Sequence, residues 1–332
     1  MTSRNMNNLP FLLKPVGKDY LWGGNRLNED FAKGIAMSPL AETWECSTHP
    51  DGPSIVASGE FTGKSLSDVL KEHPEFLGSH PHTKGELPIL IKFIDAQKDL
   101  SVQVDPDDEY ARKYANGSLG KTEMWYVLDA TEDAKVVYGF YHDMDKEKLR
   151  ESIENGTVEK YLQRVPVKKD EVFYIEAGKV HAIGAGALIA EIQENSNLTY
   201  RLYDYNRVDK NGQKRELHIE KALAVAELKS SREPVQPMRV LKYRRGCASE
   251  LLCRCKYFQV ERMLLNTEQH REPVDLQTRD NSFRVLLCTE GCGMICGQDV
   301  SLKFCKGDCV FVPANSILLK IHGKAQMLNV GC

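Results

Sequence analysis

Apolar and polar positions alternate from Leu100 to Asp105, placing Ser101, Gln103 and Asp105 on one strand face and Val102 and Val104 on the other. Pro106 cannot donate to a ladder and ends that strand. After a charged, Gly-containing connection, a second strand runs from Lys121 to Val127 with a lone carboxylate, Glu123, near its start. This spacing predicts polar side chains converging inside a barrel.

The flanks follow the same patterning. Residues 11–63 read as strands and turns, with Trp22-Gly23-Gly24 and Trp44 marking either a core corner or a pocket wall. The glycine pair calls for an unusual backbone. Ser65 and Asp68 stand at capping-box spacing ahead of a helix that buries Leu66, Val69 and Leu70. Residues 87–93 form a buried strand, 123–130 and 135–140 a strand pair, and 145–155 a helix capped by Asp145 and closed by Gly156. A second short helix is predicted over 158–164. Strands follow at 187–193 and 199–205, the latter carrying Thr199, Arg201, Tyr203 and Tyr205 on one face. An amphipathic helix over 216–228 leads into the linker SSREPVQP. From about residue 240, short strands between Gly and Asp turns predict a small all-β barrel. Lys306-Gly307-Asp308 before VFVPA echoes Lys169-Asp170-Glu171 before VFYIEA, implying two similarly built barrels. The second copy lacks a histidine after its turn and has no evident metal ligands. The expected division is a catalytic unit, 1–232, and a C-terminal barrel, 240–332.

At 332 residues and 42% hydrophobic, the chain can bury a large core. A net charge of −3 gives no basic footprint for nucleic acid and no polybasic membrane patch. No run approaches the roughly 20 apolar residues of a membrane span, and the N-terminus does not read as a signal peptide. A soluble cytoplasmic protein is expected. Nine of the ten cysteines lie between Cys247 and Cys332, without C-x-x-C spacing and mostly in apolar runs, so buried free thiols are expected rather than zinc or disulfides. The pair His80-x-His82 reads as an exposed loop, because two histidines without further ligands do not make a site.

Gln103, Asp105, Glu123 and His181 are the first barrel's inward polar groups. Carboxylates and imidazole suit zinc, with an amide oxygen as a weaker fourth donor. Each residue taken alone is more often a surface or satisfied core residue than a ligand.

WGG near the start, LSVQVDPDDEYA, GKTEMWYV, AGKVHAIGAG and NLTYRLYDYNR together resemble the short bacterial form of the type I mannose-6-phosphate isomerases. The resemblance implies a mainly β fold with a few helices, built from two cupin-type jelly-roll barrels, the first catalytic. It implies zinc, one per chain, held by Gln103, Asp105, Glu123 and His181, with histidine being the family's residue at position 105. It places Arg201 at the active-site arginine, Lys121 at a lysine for substrate handling or proton transfer, and Ser101 near the substrate phosphate. Asn197 stands where close relatives have aspartate. The implied partner is a small sugar phosphate, and the implied reaction interconverts mannose 6-phosphate and fructose 6-phosphate through a cis-enediol. Zinc and Arg201 beside Lys121 would lower the lysine's pKa.

Asp105 changes the expected metal chemistry. Its side chain is shorter than histidine, and with Glu123 it cancels the formal charge of Zn²⁺. A neutral, oxygen-rich site is a poorer Lewis acid and tilts towards Mn²⁺ or Mg²⁺. A metal site that survives in altered or weakened form is expected. Two readings remain beside the active isomerase: a catalytically weakened relative that binds a sugar phosphate, and a cupin isomerase for another phosphosugar.

Overall fold

Alternation along the strands sorts side chains into layers, and the computed structural model describes them over residues 8–80, 85–208, 211–268 and 272–332. A five-stranded sheet runs in the order Tyr200–Tyr203, Val102–Val104, His181–Ile183, Lys135–Phe140, Leu162–Pro166. A six-stranded sheet runs Val172–Ile175, Glu123–Ala130, Ala187–Glu194, Ile89–Asp95, Glu42–Cys46, Val16–Lys18. A ten-stranded sheet gathers the C-terminal strands and, at one end, Phe11–Lys14 and Ile55–Val56. The chain is therefore mainly β with a few helices.

The buried clusters give the order of the layers. Val102 and Val104 turn away from the site and pack with Leu149, Ile153, Ala222 and Leu223 of two helices, Lys146–Glu154 and Ile219–Val225. The opposite face of the five-stranded sheet meets the six-stranded one through Val136 and Ile183 against Ile94, Val127 and Ile189. The far face of the six-stranded sheet, with Ile91, Phe93, Tyr126 and Ala190, packs on Phe258, Val285, Phe311 and Val330 of the ten-stranded sheet. Each fully buried apolar side chain contributes about 1.5–3 kcal/mol, so the middle sheet is fixed from both sides.

Several local signals produce the expected elements. Ser65 accepts from the Asp68 amide and caps Leu66–Glu72, and Asp145 does the same for Lys148 at the start of Lys146–Glu154. Other expectations need correction. The helix predicted over 158–164 is a single 3₁₀ turn, Val158–Lys160, followed by strand Leu162–Pro166, which pairs with Lys135–Phe140. The connection after Pro106 contains a helix, Asp108–Tyr114, capped by Asp107. The C-terminal strands Arg284–Cys296 and Leu319–Gly331 are long ribbons, because Gly293 and Gly323 face each other within the ladder instead of turning the chain. A register shift after Arg201 and a left-handed Tyr205 (φ +54) break the alternation there, so Tyr203 and Tyr205 leave the Arg201 face and join the helix-side core. At Gly23 and Gly24 the demand is close approach, not an unusual φ: a Cβ on Gly24 would lie 2.3 Å from Asp95 Oδ2. Of the His80–His82 pair, His82 lies outside the described residues.

All ten cysteines are free. Cys46, Cys247, Cys288 and Cys309 are buried as expected, but Cys292 and Cys305 are exposed. Their positions fall on the outer face of a C-terminal hairpin, where strand alternation points them to solvent.

Asp108 joins the C-terminal segment to the approach of Glu123. It accepts from Tyr257 Oη at 2.9 Å and the Gly120 amide at 3.1 Å, and pairs with Lys256 at 3.3 Å. Burial opposes its charge, but these donors outweigh burial and hold its carboxyl below the usual range. Glu194 hydrogen-bonds Asp108 and accepts from the Thr122 amide at 2.8 Å. Burial, with the Asp108 charge adding to it, pushes the Glu194 carboxyl up to about 8. Between the ordinary value of 4.5 and about 8, the folded chain keeps a proton that the unfolded chain has lost. Stability from this group is thus full below that window and is lost as pH rises through it. Glu194→Gln, which keeps a donor and an acceptor, should flatten the fall of the urea midpoint from pH 5 to pH 8.5. Parallel slopes in the two proteins would contradict this account of Glu194.

Candidate functional site

Register builds the site before any side chain is considered. Gln103 pairs with His181 on one neighbouring strand and with Arg201 on the other. Three polar side chains therefore stand in one row across the five-stranded sheet, facing the middle layer. That layer supplies a second row, Lys92–Glu191–Trp125, through the pairings of Glu191 with both neighbours. Glu123 lies two residues before Trp125 and so points to the same side.

Between the rows lies a buried charge cluster. Lys121 Nζ sits 2.6 Å from Asp105 Oδ2 and 2.8 Å from Glu123 Oε2. His181 Nε2 is 3.5 Å from both Asp105 Oδ2 and Glu123 Oε1. The other ring nitrogen, Nδ1, donates to the Lys179 carbonyl at 2.8 Å, which leaves Nε2 with its lone pair towards the cluster. Gln103 Nε2 donates to that nitrogen at 3.0 Å. The Trp125 indole N–H spans two carboxylates, Glu123 Oε1 at 2.9 Å and Glu191 Oε2 at 3.2 Å. Lys92 Nζ pairs with Glu191 Oε1 at 2.9 Å.

The residues predicted from sequence come together here. Ligand atoms of Asp105, Glu123 and His181 all lie within 4.8 Å of one another, and Asp105 Oδ1 is buried without a hydrogen-bond partner. Buried carboxylates, a lone imidazole nitrogen and an orphaned oxygen fit a divalent cation. Gln103, Lys121, His181, Trp125 and Glu191 of the cluster line a cleft of about 240 Å³ whose walls include Ser101, Arg201, Tyr20 and Trp22. Arg201 Nε donates to Ser101 Oγ at 3.2 Å. Burial disfavours the Arg201 charge, and the like charge of Arg215 adds to it, so two guanidiniums face one mouth.

Electrostatics depart from expectation at Lys121. Burial works against the ammonium, but Asp105, Glu123 and Glu191 outweigh it and hold the lysine well above its ordinary range. Burial, with Glu191 next, raises Glu123, whereas at Glu191 the neighbouring Lys92 and Lys121 overcome burial and lower the carboxyl. Sequence reasoning missed Glu42, Lys92, Glu191 and Trp125 on the floor of this cleft. The signal was present: Lys92 and Glu191 are single charges inside the apolar runs LPILIKF and ALIAEI.

Comparison with known proteins bears on this arrangement. Residues 10–119 match the family model of the phosphomannose isomerase type I catalytic domain, and residues 249–331 match the mannose-6-phosphate isomerase cupin domain. Mannose-6-phosphate isomerase ManA of Bacillus subtilis is 36% identical over 325 residues, 97% of this chain and 99% of that protein. The chain belongs to the type I mannose-6-phosphate isomerase family. The isomerase of Streptococcus mutans is 42% identical over 216 residues, 65% of this chain and 67% of that protein. The crystal structure of the Bacillus subtilis mannose 6-phosphate isomerase superposes with a TM-score of 0.88 at 34% identity, covering 97% of this chain and 99% of that one. A mannose 6-phosphate isomerase bound with zinc and yttrium shares the fold, with a TM-score of 0.73 at 17% identity, over 97% of this chain and 98% of that one. No helix among the described residues of this family member is long and apolar enough to cross a membrane.

Trp125 tests whether the floor is held by its indole. Trp125→Phe keeps the ring packing but removes the one N–H shared by Glu123 and Glu191. Leaving such buried acceptors short of a donor costs about 1–3 kcal/mol, which urea unfolding should register as loss of stability. An unchanged midpoint would mean that another donor replaces the indole.

Proposed function

We propose that this chain is a metal-dependent aldose–ketose isomerase that interconverts mannose 6-phosphate and fructose 6-phosphate through a cis-enediol. The observation that carries this reading is the convergence of Asp105, Glu123 and His181 beneath a cleft whose mouth bears Arg201 and Arg215. Family membership supplies the substrate class.

In this reading Gln103, Asp105, Glu123 and His181 hold a zinc ion, which when bound polarises the sugar carbonyl as a Lewis acid. Arg201 and Arg215 give the anionic phosphosugar a cationic mouth, and binding relieves their mutual repulsion. Ser101, beside Arg201, orients the phosphate end. Arg201 also places fixed donors near developing oxyanion character at O1 or O2. Lys121 is the group assigned to move the proton between C1 and C2. Its Nζ reaches into the cleft floor, where Asp105 and Glu123 hold it as an ammonium. The burial of Lys121, Glu123 and His181 at the base of the cleft limits the access of bulk water to an enediol there. We assign residues 1–232 to the catalytic unit and 240–332 to a second cupin-like barrel, with strand Phe11–Lys14 pairing across to Cys309–Val312.

One observation favours the second reading, a weakened sugar-phosphate binder. The Lys121 ammonium already neutralises the carboxylates that a metal would need. Metal content and isomerisation rate, measured together for the native chain and for Asp105→His, separate the readings. Stoichiometric metal and turnover in the native chain support the isomerase, and chelation should then abolish turnover. A native chain that takes up no metal and is inert, with both gained in Asp105→His, would establish the weakened binder. A panel of other phosphosugars tests substrate choice: a preferred aldose phosphate other than mannose 6-phosphate would overturn that part of the assignment.

A further inference from the structure

We propose that Cys292 and Cys305 form a redox-responsive dithiol that a low-molecular-weight disulfide closes into a cross-strand bond. The hairpin of Arg284–Cys296 and Ser301–Cys305 sets Cys292 directly opposite Cys305. Hydrogen bonding at both ends fixes the character of that pair. The Gly297 amide donates to the Val300 carbonyl at 2.9 Å near the tip, and the Lys306 amide donates to the Gly291 carbonyl at 2.8 Å at the base. Alternation between these two points makes 293/304 and 295/302 hydrogen-bonded pairs and 292/305 a non-hydrogen-bonded one. In such pairs the Cα atoms approach to about 4.5 Å and the side chains lie closest. Disulfides accept Cα separations of about 4.4–6.8 Å, so the backbone needs no rearrangement.

Exposure and contact agree with register. Both thiols are free, and they are the two cysteines of the ten that are exposed. Burial first, and then the neighbouring Cys292, raise the Cys305 thiol, as expected of two side chains set opposite each other. The remaining cysteines are buried or half-buried, which restricts access of an external reagent to them.

The chemistry balances with an external disulfide, RSSR. One cysteine thiolate attacks a sulfur of RSSR, forming a mixed disulfide and releasing one thiolate. The second cysteine then displaces the remaining RS group, and the Sγ–Sγ bond forms. Two protein thiols are oxidised by two electrons, RSSR is reduced to two RSH, and these carry off the two protons. Exposed disulfides are the labile ones, so excess thiol reverses the reaction.

Position gives the bond a consequence. Cys305 precedes the turn Lys306-Gly307-Asp308, whose Gly307 carbonyl accepts from Lys33 and whose Lys306 ammonium lies 4.4 Å from the Phe31 ring. Lys33 in turn pairs with buried Glu45 at 2.7 Å. Closing the dithiol pins the end of the hairpin that makes this contact with the N-terminal segment.

The full chain, equilibrated in oxidised and reduced glutathione mixtures, would be quenched with acid, alkylated and mapped by peptide mass spectrometry. The expected result is a Cys292–Cys305 cross-linked peptide, loss of two titratable thiols, and recovery of both with dithiothreitol. Cys292→Ser and Cys305→Ser should each carry a glutathione adduct on the remaining cysteine and form no cross-link. The oxidised native chain should melt at a higher temperature than the reduced one, a shift absent from both variants. Glutathione adducts on both cysteines of the native chain without a cross-link would overturn the proposal, as would loss of two thiols in the serine variants equal to that of the native chain.

Discussion

Charge must be balanced at the cleft floor without help from water, and the architecture around it serves that need. Glu42, Asp105, Glu123 and Glu191 are all buried there, with Lys92 and Lys121 as the buried cations among them. Removing one partner of such a pair costs about 3–5 kcal/mol, because the other charge is stranded. Sheet register answers this constraint by placing Lys92, Glu191 and Trp125 side by side on adjacent strands. The Trp125 N–H then links the Lys92–Glu191 pair to the Lys121–Glu123 pair, so the floor behaves as one hydrogen-bonded unit.

The middle sheet can carry this polar face because its other face is wholly committed to apolar packing. Ile91, Phe93, Tyr126 and Ala190 alternate with the cleft residues and lie against the ten-stranded sheet. The candidate ligands draw on no residue of the C-terminal strands. Those strands instead bury the back of the floor and, through Tyr257 and Lys256 on Asp108, brace the segment that delivers Lys121 and Glu123. The strand Phe11–Lys14, paired with Cys309–Val312, makes the same connection from the other end of the chain.

What could be read from the sequence was local. Caps at Ser65 and Asp145, the stop at Pro106 and the alternation around Gln103 are set by residues a few positions apart, and they appear as expected. The candidate ligand set came from several short motifs that together resembled one family, while the bare spacing left each residue open to a structural role. Long-range pairing was not legible. Leu162–Pro166 looks helical until Lys135–Phe140 offers it an edge, and Gly293 and Gly323 look like turns until the ladder sets them opposite each other. Lys92 and Glu191 went unnoticed for the same reason: each looks anomalous alone and explicable only as a pair 99 residues apart. The helix Asp108–Tyr114 is different, since Asp107, the acidic first turn and the basic last turn were all visible.

Asp105 is where sequence and structure meet most sharply. A carboxylate at this position gives Lys121 two anionic neighbours in place of the one, Glu123, that lies two residues from it in the same segment. Histidine in its neutral form would give no such charge, and Lys121 would be held by Glu123 and the more distant Glu191. The contacts of 2.6 and 2.8 Å engage Asp105 Oδ2 and Glu123 Oε2, while Asp105 Oδ1 has no hydrogen-bond partner and Glu123 Oε1 faces His181 Nε2 at 3.5 Å. Each carboxylate thus keeps one oxygen clear of the lysine. The amine meanwhile lines the cleft, where the proposed proton transfer needs it. Under the proposed function, aspartate at position 105 thus adds a second tie between metal site and base, since both carboxylates offer one oxygen to a cation and one to Lys121.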